Sequence, residues 1–256
     1  MKQYLKIMHR RFCFLFFDPL EIFQRWCSIP YYLKNRKEYN RSNTNSHFDF
    51  TWKEAFPVSH DRFDKAGSAK GHYFWQDLWA AQYLYDNNIR QHTDVGSRLD
   101  GFVAHILPFC KAAYVDIRPL DVKIRNLEFR QGSVLQMPFE NNSVNSLSSL
   151  HVIEHIGLGR YGDPIDPDGH IKAAKELTRV LAKDGHLLIG VPVGRERLCF
   201  DAHRIFDPQT ITDIFNELKL AEFHLIDDIG AKIIRNASFD EARICHYGCG
   251  LFVFRK

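Results

Sequence analysis

The sequence predicts an α/β fold, a doubly wound and mainly parallel sheet of about seven strands with its last strand antiparallel, preceded by an N-terminal helical extension. Three observations carry this expectation. Short β-prone runs alternate with segments of helical period over most of the chain. The stretch Asp94-Val95-Gly96-Ser97-Arg98-Leu99-Asp100-Gly101 places an acid and glycines where a strand turns into a helix, and a second acid, Asp116, follows about 20 residues on. The last apolar run, Gly250 to Phe254, has no helix after it, which fits a strand inserted antiparallel.

Residues 1–71 read as a basic, aromatic extension and 72–256 as the α/β domain. The first fifty residues hold nine Lys/Arg against four acids, an excess of five in a chain of net charge +3, so the remainder is slightly acidic. Phe12, Phe14, Leu15, Phe16, Phe17, Ile22, Phe23 and Trp26 are interleaved with these charges. Such a segment suits an anionic membrane surface, a neighbouring subunit or its own domain. The run Phe12–Phe17 is far shorter than the roughly 20 residues that span a bilayer, and no small-residue cleavage site follows it, so a cytoplasmic, at most membrane-associated protein is expected. Because the basic excess is confined to the extension, nucleic acid is an unlikely partner. Asn40–Ser46 reads as a linker.

The domain's elements follow in order. Tyr73–Asn88 carries Phe74, Leu78, Ala81, Leu84 and Tyr85 at helical spacing. His92–Val95 is the opening strand, Phe102–Leu107 a helix, Ala112–Asp116 the second strand and Leu127–Arg130 the third, ending at Gln131-Gly132-Ser133. Met137–Asn142 is a turn before the fourth strand, Val144–Leu150. Pro167–Lys183 has Ile171, Ala174, Leu177, Val180 and Leu181 on one face and Gly185 to close it. His186–Val191 is the fifth strand, Asp207-Pro208 caps a helix through Leu218, and Glu222–Ile226 is the sixth strand.

Glycine in the turn after the first strand lets backbone N–H groups approach a ligand, and an acid at the end of the second strand can accept hydrogen bonds from ribose hydroxyls. The six cysteines are scattered without a C-x-x-C pair and read as free thiols of a reducing compartment. Cys245, His246 and Cys249 lack a second ligand pair nearby, so no metal is expected there.

With this loop, Asp116, Gln131-Gly132-Ser133, Met137-Pro138-Phe139 and Leu150-His151-Val152-Ile153-Glu154-His155 in order, the chain resembles class I S-adenosylmethionine-dependent methyltransferases from about Asp94 to Lys256. More closely, Asp94–His105 and Glu154–Asp163 resemble a methyltransferase-like domain-of-unknown-function family of bacteria and nematodes. The resemblance implies a Rossmann-like sheet and S-adenosylmethionine as cofactor. It implies that Asp94, Gly96 and Ser97 face the methionine part, that Asp116 binds the ribose and that Ile117 flanks the adenine. Gly132 and Ser133 stand where the broader family has Gly-Asp at the adenine amino group. His151 would lie beside the sulfonium and the acceptor. Arg98 and Asp100 depart from the family's glycines, and Arg98 is a candidate partner of the cofactor carboxylate.

His151-Val152-Ile153-Glu154-His155 also spells H-x-x-E-H, the zinc pattern of inverted zinc peptidases. It comes straight off a strand, and Gly157, Gly159 and Gly162 would break such a helix, so the metal set is again expected to be none. His151 and His203 are the candidate catalytic residues, with His155 placed as structural and Arg160, Arg195, Arg197 and Arg204 as candidate anchors of an anionic group. The expected reaction is methyl transfer to a small-molecule or glycan hydroxyl; the alternative is a binding module that keeps the fold without catalysis. Oligomeric state is not legible.

Overall fold

The computed structural model describes residues 19–58, 67 and 69–256. The apolar run Phe12–Phe17, and the reading of its length, lie outside the described residues. The chain divides into two compact units, Met1–Ser68 and Ala69–Lys256.

The first unit is built on helix α1, Pro19–Ser42, followed by 3-10 turns at Ser46–Phe48 and Trp52–Glu54. The expected linker at Asn40–Ser46 is therefore corrected. Asn40 to Ser42 continue the helix, and Asn43 Nδ2 then donates to Asp49 Oδ1 at 2.7 Å, folding the chain back on itself. The Arg36 guanidinium lies 3.6 Å from the centroid of Trp52, and Tyr39 Oη donates to the Phe48 carbonyl. Phe23 and Trp26 are exposed on α1. Among the described residues no helix is long and apolar enough to cross a membrane.

The second unit holds an eight-stranded sheet. Its strands are β1 Gln91–Val95, β2 Lys111–Asp116, β3 Leu127–Gln131, β4 Val144–Leu150, β5 Leu181–Val193, β8 Lys219–Ile226, β9 Ile233–Ile234 and β10 Gly248–Arg255. Between β5 and β8 the hairpin β6 Arg197–Cys199 and β7 His203–Ile205 forms a separate small sheet. The order is β3-β2-β1-β4-β5-β10-β8-β9, with β1 parallel to β2 and β4, and β10 antiparallel to both β5 and β8. This is the doubly wound sheet with an antiparallel last strand that the sequence predicts. Strand order reverses between β1 and β4, which opens a crevice at their carboxyl ends.

Helices cover both faces. Ala173, Ala174 and Leu177 of α4 (Gly169–Val180) and Ile211 of α5 (Pro208–Ile214) pack with Leu147, Leu187, Ile189 and Phe252. On the other face Trp79, Ala80 and Leu84 of α2 (His72–Asp86), with Phe102 and Ile106, pack on Leu150, Leu188, Leu251 and Val253. Leu187 and Leu188 thus serve opposite cores, which is why β5 reads as an unbroken apolar run rather than an alternation.

Several element boundaries differ from expectation: β5 starts at Leu181 instead of His186, β8 at Lys219 instead of Glu222, and α5 stops at Ile214 instead of Leu218. The region Phe102–Leu107 begins as a π-helical turn, Leu99–Val103, before a short α3, Ala104–Ile106. Its Gly101 sits at φ −110°, ψ −114°, where a Cβ would come 2.3 Å from Asp77 Oδ2. Helix α4 stops at Val180 instead of Lys183 because Leu181 turns extended and pairs with Val144, while Lys256 Nζ donates to the Thr178 and Leu181 carbonyls. The left-handed residue past the helix is Asp184 (φ +61°), not Gly185. A further short helix, α6 Phe239–Arg243, is closed by a capping box from Ser238 and Glu241.

Candidate functional site

A cavity of about 250 Å³ opens at the carboxyl ends of β1, β2 and β4. Gly96, Arg98, Asp116, Ile117, Gly132, Ser133 and His151 line it, so seven of the sequence-selected residues meet there. Tyr73, Arg118, Val134, Leu135, Val152, His155, Ile156, Tyr161 and Asp163 complete much of the wall.

Asp94 and Ser97 do not line the cavity. Asp94 is wholly buried and accepts from Ser97 N (3.1 Å), Ser97 Oγ (2.6 Å) and Ser148 Oγ. Burial outweighs these bonds and pushes its carboxyl up to about 7. Ser97 Oγ also accepts from Leu150 N at 3.1 Å, so the two residues shape the turn from behind. Gly96, at φ +71°, presents the turn to the cavity; a Cβ there would crowd Val152 at 3.1 Å.

Asp116 is in the expected place but not free. Arg118 donates Nε to Oδ1 (2.9 Å) and Nη2 to Oδ2 (2.7 Å), its backbone N–H adds a bond to Oδ1, and Tyr114 Oη donates to Oδ2 at 2.9 Å. Burial works against the charge, but these donors outweigh it and hold Asp116 below the usual carboxylate range. The Arg118 guanidinium also lies 5.3 Å from the Tyr161 ring, bridging the second strand to the glycine loop. Arg98 is likewise engaged, forking onto Asp100 (3.1 and 2.7 Å) and lying 5.1 Å from the Tyr73 ring. Ser133 Oγ accepts from Leu135 N at 3.2 Å and keeps its own hydrogen to donate. Ile117 is exposed at the rim.

The opposite end is rich in histidine. His151 adopts φ +56°, a region sparsely used by residues other than glycine. Its Nδ1 lies 2.7 Å from Glu154 Oε1, with both side chains buried. Burial opposes charge on His151, but Cys249 and Glu154 outweigh it and lift its pKa well above the ordinary histidine value, while Glu154 is lowered in turn. His151 Nε2 and Glu154 Oε2 are buried with no hydrogen-bond partner. His151, a candidate catalytic residue, lines the cavity with its ring held by Glu154. His155 Nδ1 donates to the Ala202 carbonyl at 2.6 Å, and its Nε2 lies 3.7 Å from Glu154 Oε1. His203 does not line the cavity; its ring packs 5.0 Å from Tyr247 and 6.4 Å from His155, and burial lowers its pKa. His151–His155 form turns rather than a helix, so the H-x-x-E-H peptidase geometry does not arise.

The loop after β4 is fixed by Asp163, which accepts from Gly157 N at 2.6 Å and from Tyr161 N at 3.3 Å. Three of the candidate anchoring arginines bond backbone carbonyls instead: Arg160 to Ala202, Arg197 to Arg195 and His246, and Arg204 to Glu154, Ile156 and Pro167. Sequence reasoning missed Arg118 as a partner of Asp116, although its position two residues on is a signal, and missed His72; it weighed Cys249 only with Cys245 and His246, whereas the fold brings it beside His151.

Residues 122–234 match the family described as Caenorhabditis protein of unknown function, DUF268. No curated protein matches the chain. Among solved structures, the N-methyltransferase NodS from Bradyrhizobium japonicum in complex with S-adenosyl-L-homocysteine is 18% identical, covering 71% of this chain and 84% of its own, with TM-score 0.51. A putative sarcosine dimethylglycine methyltransferase from Galdieria sulphuraria is 17% identical over 71% of this chain and 85% of its own, TM-score 0.52. The [4+2]-cyclase SpnF is 11% identical over 75% and 85%, TM-score 0.53. Strand order, antiparallel last strand and these likenesses agree: the chain has the class I S-adenosylmethionine-dependent methyltransferase fold, and its segment 122–234 matches DUF268.

Proposed function

We propose that the protein transfers a methyl group from S-adenosylmethionine to a hydroxyl of a small molecule or glycan. The observation that carries this reading is the cavity at the strand-order reversal, walled by Gly96, Asp116, Ile117, Gly132 and Ser133 in one continuous surface. The residues fit the cofactor's parts. Asp116 offers a charged carboxylate for two ribose hydroxyls, Ile117 an apolar edge for the adenine and Ser133 a hydroxyl for its amino group. Gly96 lets the backbone approach the methionine end without a Cβ.

When bound, S-adenosylmethionine supplies an electrophilic methyl group. The chain's part is to position the acceptor in line and to remove its proton. His151 and His155 both line the cavity and are the groups placed to orient the acceptor and accept its hydroxyl proton. Tyr161 and Asp163 lie on the loop that covers it.

Calorimetric titration with S-adenosylmethionine and S-adenosylhomocysteine tests the reading, with one site per chain expected for each. A second reading, a non-catalytic binding module, is favoured by one observation, the Arg118 fork already seated on both oxygens of Asp116. Absence of heat with both ligands in folded protein would select it.

A further inference from the structure

One ring nitrogen of His72, one of His151 and the Sγ of Cys249 lie within 4.8 Å of one another. They come from the first residue of α2, the turn after β4 and the second residue of β10. We propose that these three side chains bind a divalent metal of the zinc type at the acceptor end of the cavity.

His151 supplies the strongest reason. Its side chain is only 4% exposed, yet Nε2 meets no hydrogen-bond partner of normal geometry and has the Cys249 thiol as its neighbour, a state that buried nitrogens seldom keep. Its other nitrogen, Nδ1, lies 2.7 Å from Glu154 Oε1. A carboxylate on one ring nitrogen fixes the tautomer and turns the other toward a metal. The left-handed backbone at His151, φ +56°, aims the ring this way at a conformational cost that a purely structural histidine has no need to bear.

The other two groups suit the same ion. His72 Nε2 lies 3.1 Å from the Tyr247 carbonyl, and donation there leaves Nδ1 with its lone pair. Cys249 is wholly buried; its thiol makes long contacts to Gln76 Oε1 at 3.7 Å and the Gly250 carbonyl at 3.9 Å and interacts with the His151 ring. Two imidazoles and a thiolate form the borderline-soft set that zinc prefers. Tetrahedral bonds of about 2.0–2.3 Å would bring the ligand atoms to roughly 3.5 Å from one another, so the cluster closes by about an ångström. The His72 and His151 rings stand nearly parallel, 5° apart with centroids 5.4 Å apart. Closure therefore turns the His72 ring, which is the half-buried member. On binding, the Cys249 thiol proton and the extra proton on His151 leave to solvent. Because His151 also belongs to the cavity wall, a fourth coordination position there would take an acceptor hydroxyl and lower its pKa. This set differs from H-x-x-E-H: Glu154 orients a ligand, and His155 is directed at Ala202.

Cobalt titration of the purified full-length chain reads the site without any cofactor, so its outcome is separable from that of the methyl-transfer reading. A single cobalt ion per chain is expected, with a near-ultraviolet thiolate-to-cobalt band that zinc displaces. Cys249→Ser should abolish the band and Cys245→Ser should keep it. Glu154→Gln should weaken binding about 10–100-fold. His72→Ala, at a half-buried side chain, should lose stoichiometric uptake while circular dichroism stays unchanged. The site is overturned if folded wild-type protein takes up neither cobalt nor zinc, or if Cys249→Ser retains the band.

Discussion

On one side of the cavity, Gly96, Asp116, Gly132 and Ser133 stand at the ends of three adjacent parallel strands; on the other, His151 and His155 line it from a turn, with His72 of a helix start and Cys249 of an antiparallel strand beside His151. The first end is made of short local motifs, each a strand end and its turn, and its polar groups are already partnered: Asp116 by Arg118, Arg98 by Asp100. The second end is made of long-range contacts and holds two unpartnered buried atoms, His151 Nε2 and Glu154 Oε2. Strand ends are positioned by the sheet, so ligand groups there need only one local choice each. A cluster that spans three elements depends on the packing of all of them, and electrostatics at that end should weigh more on stability.

The largest effect that would break this contrast is at Glu154. Glu154→Ala leaves a buried charged histidine without its partner and should cost about 3–5 kcal/mol, read by urea denaturation. A cost below 1 kcal/mol would mean that the pair is not held charged and that the two ends do not differ electrostatically.

The loop that joins the ends comes next. Gly157 has φ +82° and a Cβ there would sit 1.9 Å from the Asp166 carbonyl, so Gly157→Ala should destabilise by about 2–4 kcal/mol. Gly162 has the same φ with nothing within 4 Å, and its alanine variant should cost only about 1–2 kcal/mol. Equal melting shifts for the two would show that the loop relaxes freely instead of being clamped between the two ends.

At the strand-end side, Asp116→Ala should weaken S-adenosylhomocysteine binding about 10–100-fold while leaving cobalt uptake intact, since charged hydrogen bonds are worth roughly 1.5–3 kcal/mol. Unchanged affinity in calorimetry would remove Asp116 from the ribose role.

The smallest effect concerns Arg118, which is 58% exposed. Asp116 has its pKa lowered in the folded chain, so its contribution is present above the unfolded value near pH 4 and is lost as pH falls through the lower folded value. Solvent screening keeps that contribution at about 1 kcal/mol or less. Arg118→Met should therefore flatten the loss of stability below about pH 4 and do little at pH 7. An unaltered acid limb would place the source of acid sensitivity elsewhere.

Most of the sheet was legible because both faces of the strands are covered. Val144–Leu150 is read to the residue, and the runs at Leu187–Val191 and Gly250–Phe254 can only be buried strands. The misread boundaries depend on distant residues: α4 ends early because Lys256 and Val144 reach Leu181, and β9 is two residues long, too short for any pattern. In the site, Asp116, Gly132 and Ser133 carried their signal in spacing along the chain. Asp94 and Ser97 carried the same signal yet point inward, because Ser148 Oγ and Leu150 N on the neighbouring strand both donate to them from behind. His72 had no sequence signal, and Cys249 drew notice only beside Cys245 and His246, since each meets His151 only after the sheet has closed.

The Arg118 fork makes Asp116 a site with a resident tenant. In mass-action terms the guanidinium is a tethered competitor at fixed effective concentration, so ribose recognition is an exchange of partners instead of the filling of an empty acceptor. What a ligand gains there is the difference between its own hydrogen bonds and those it displaces. Selectivity at that wall then favours molecules that also satisfy the released arginine, and the face of Tyr161, 5.3 Å from the guanidinium, is the support on which it can settle.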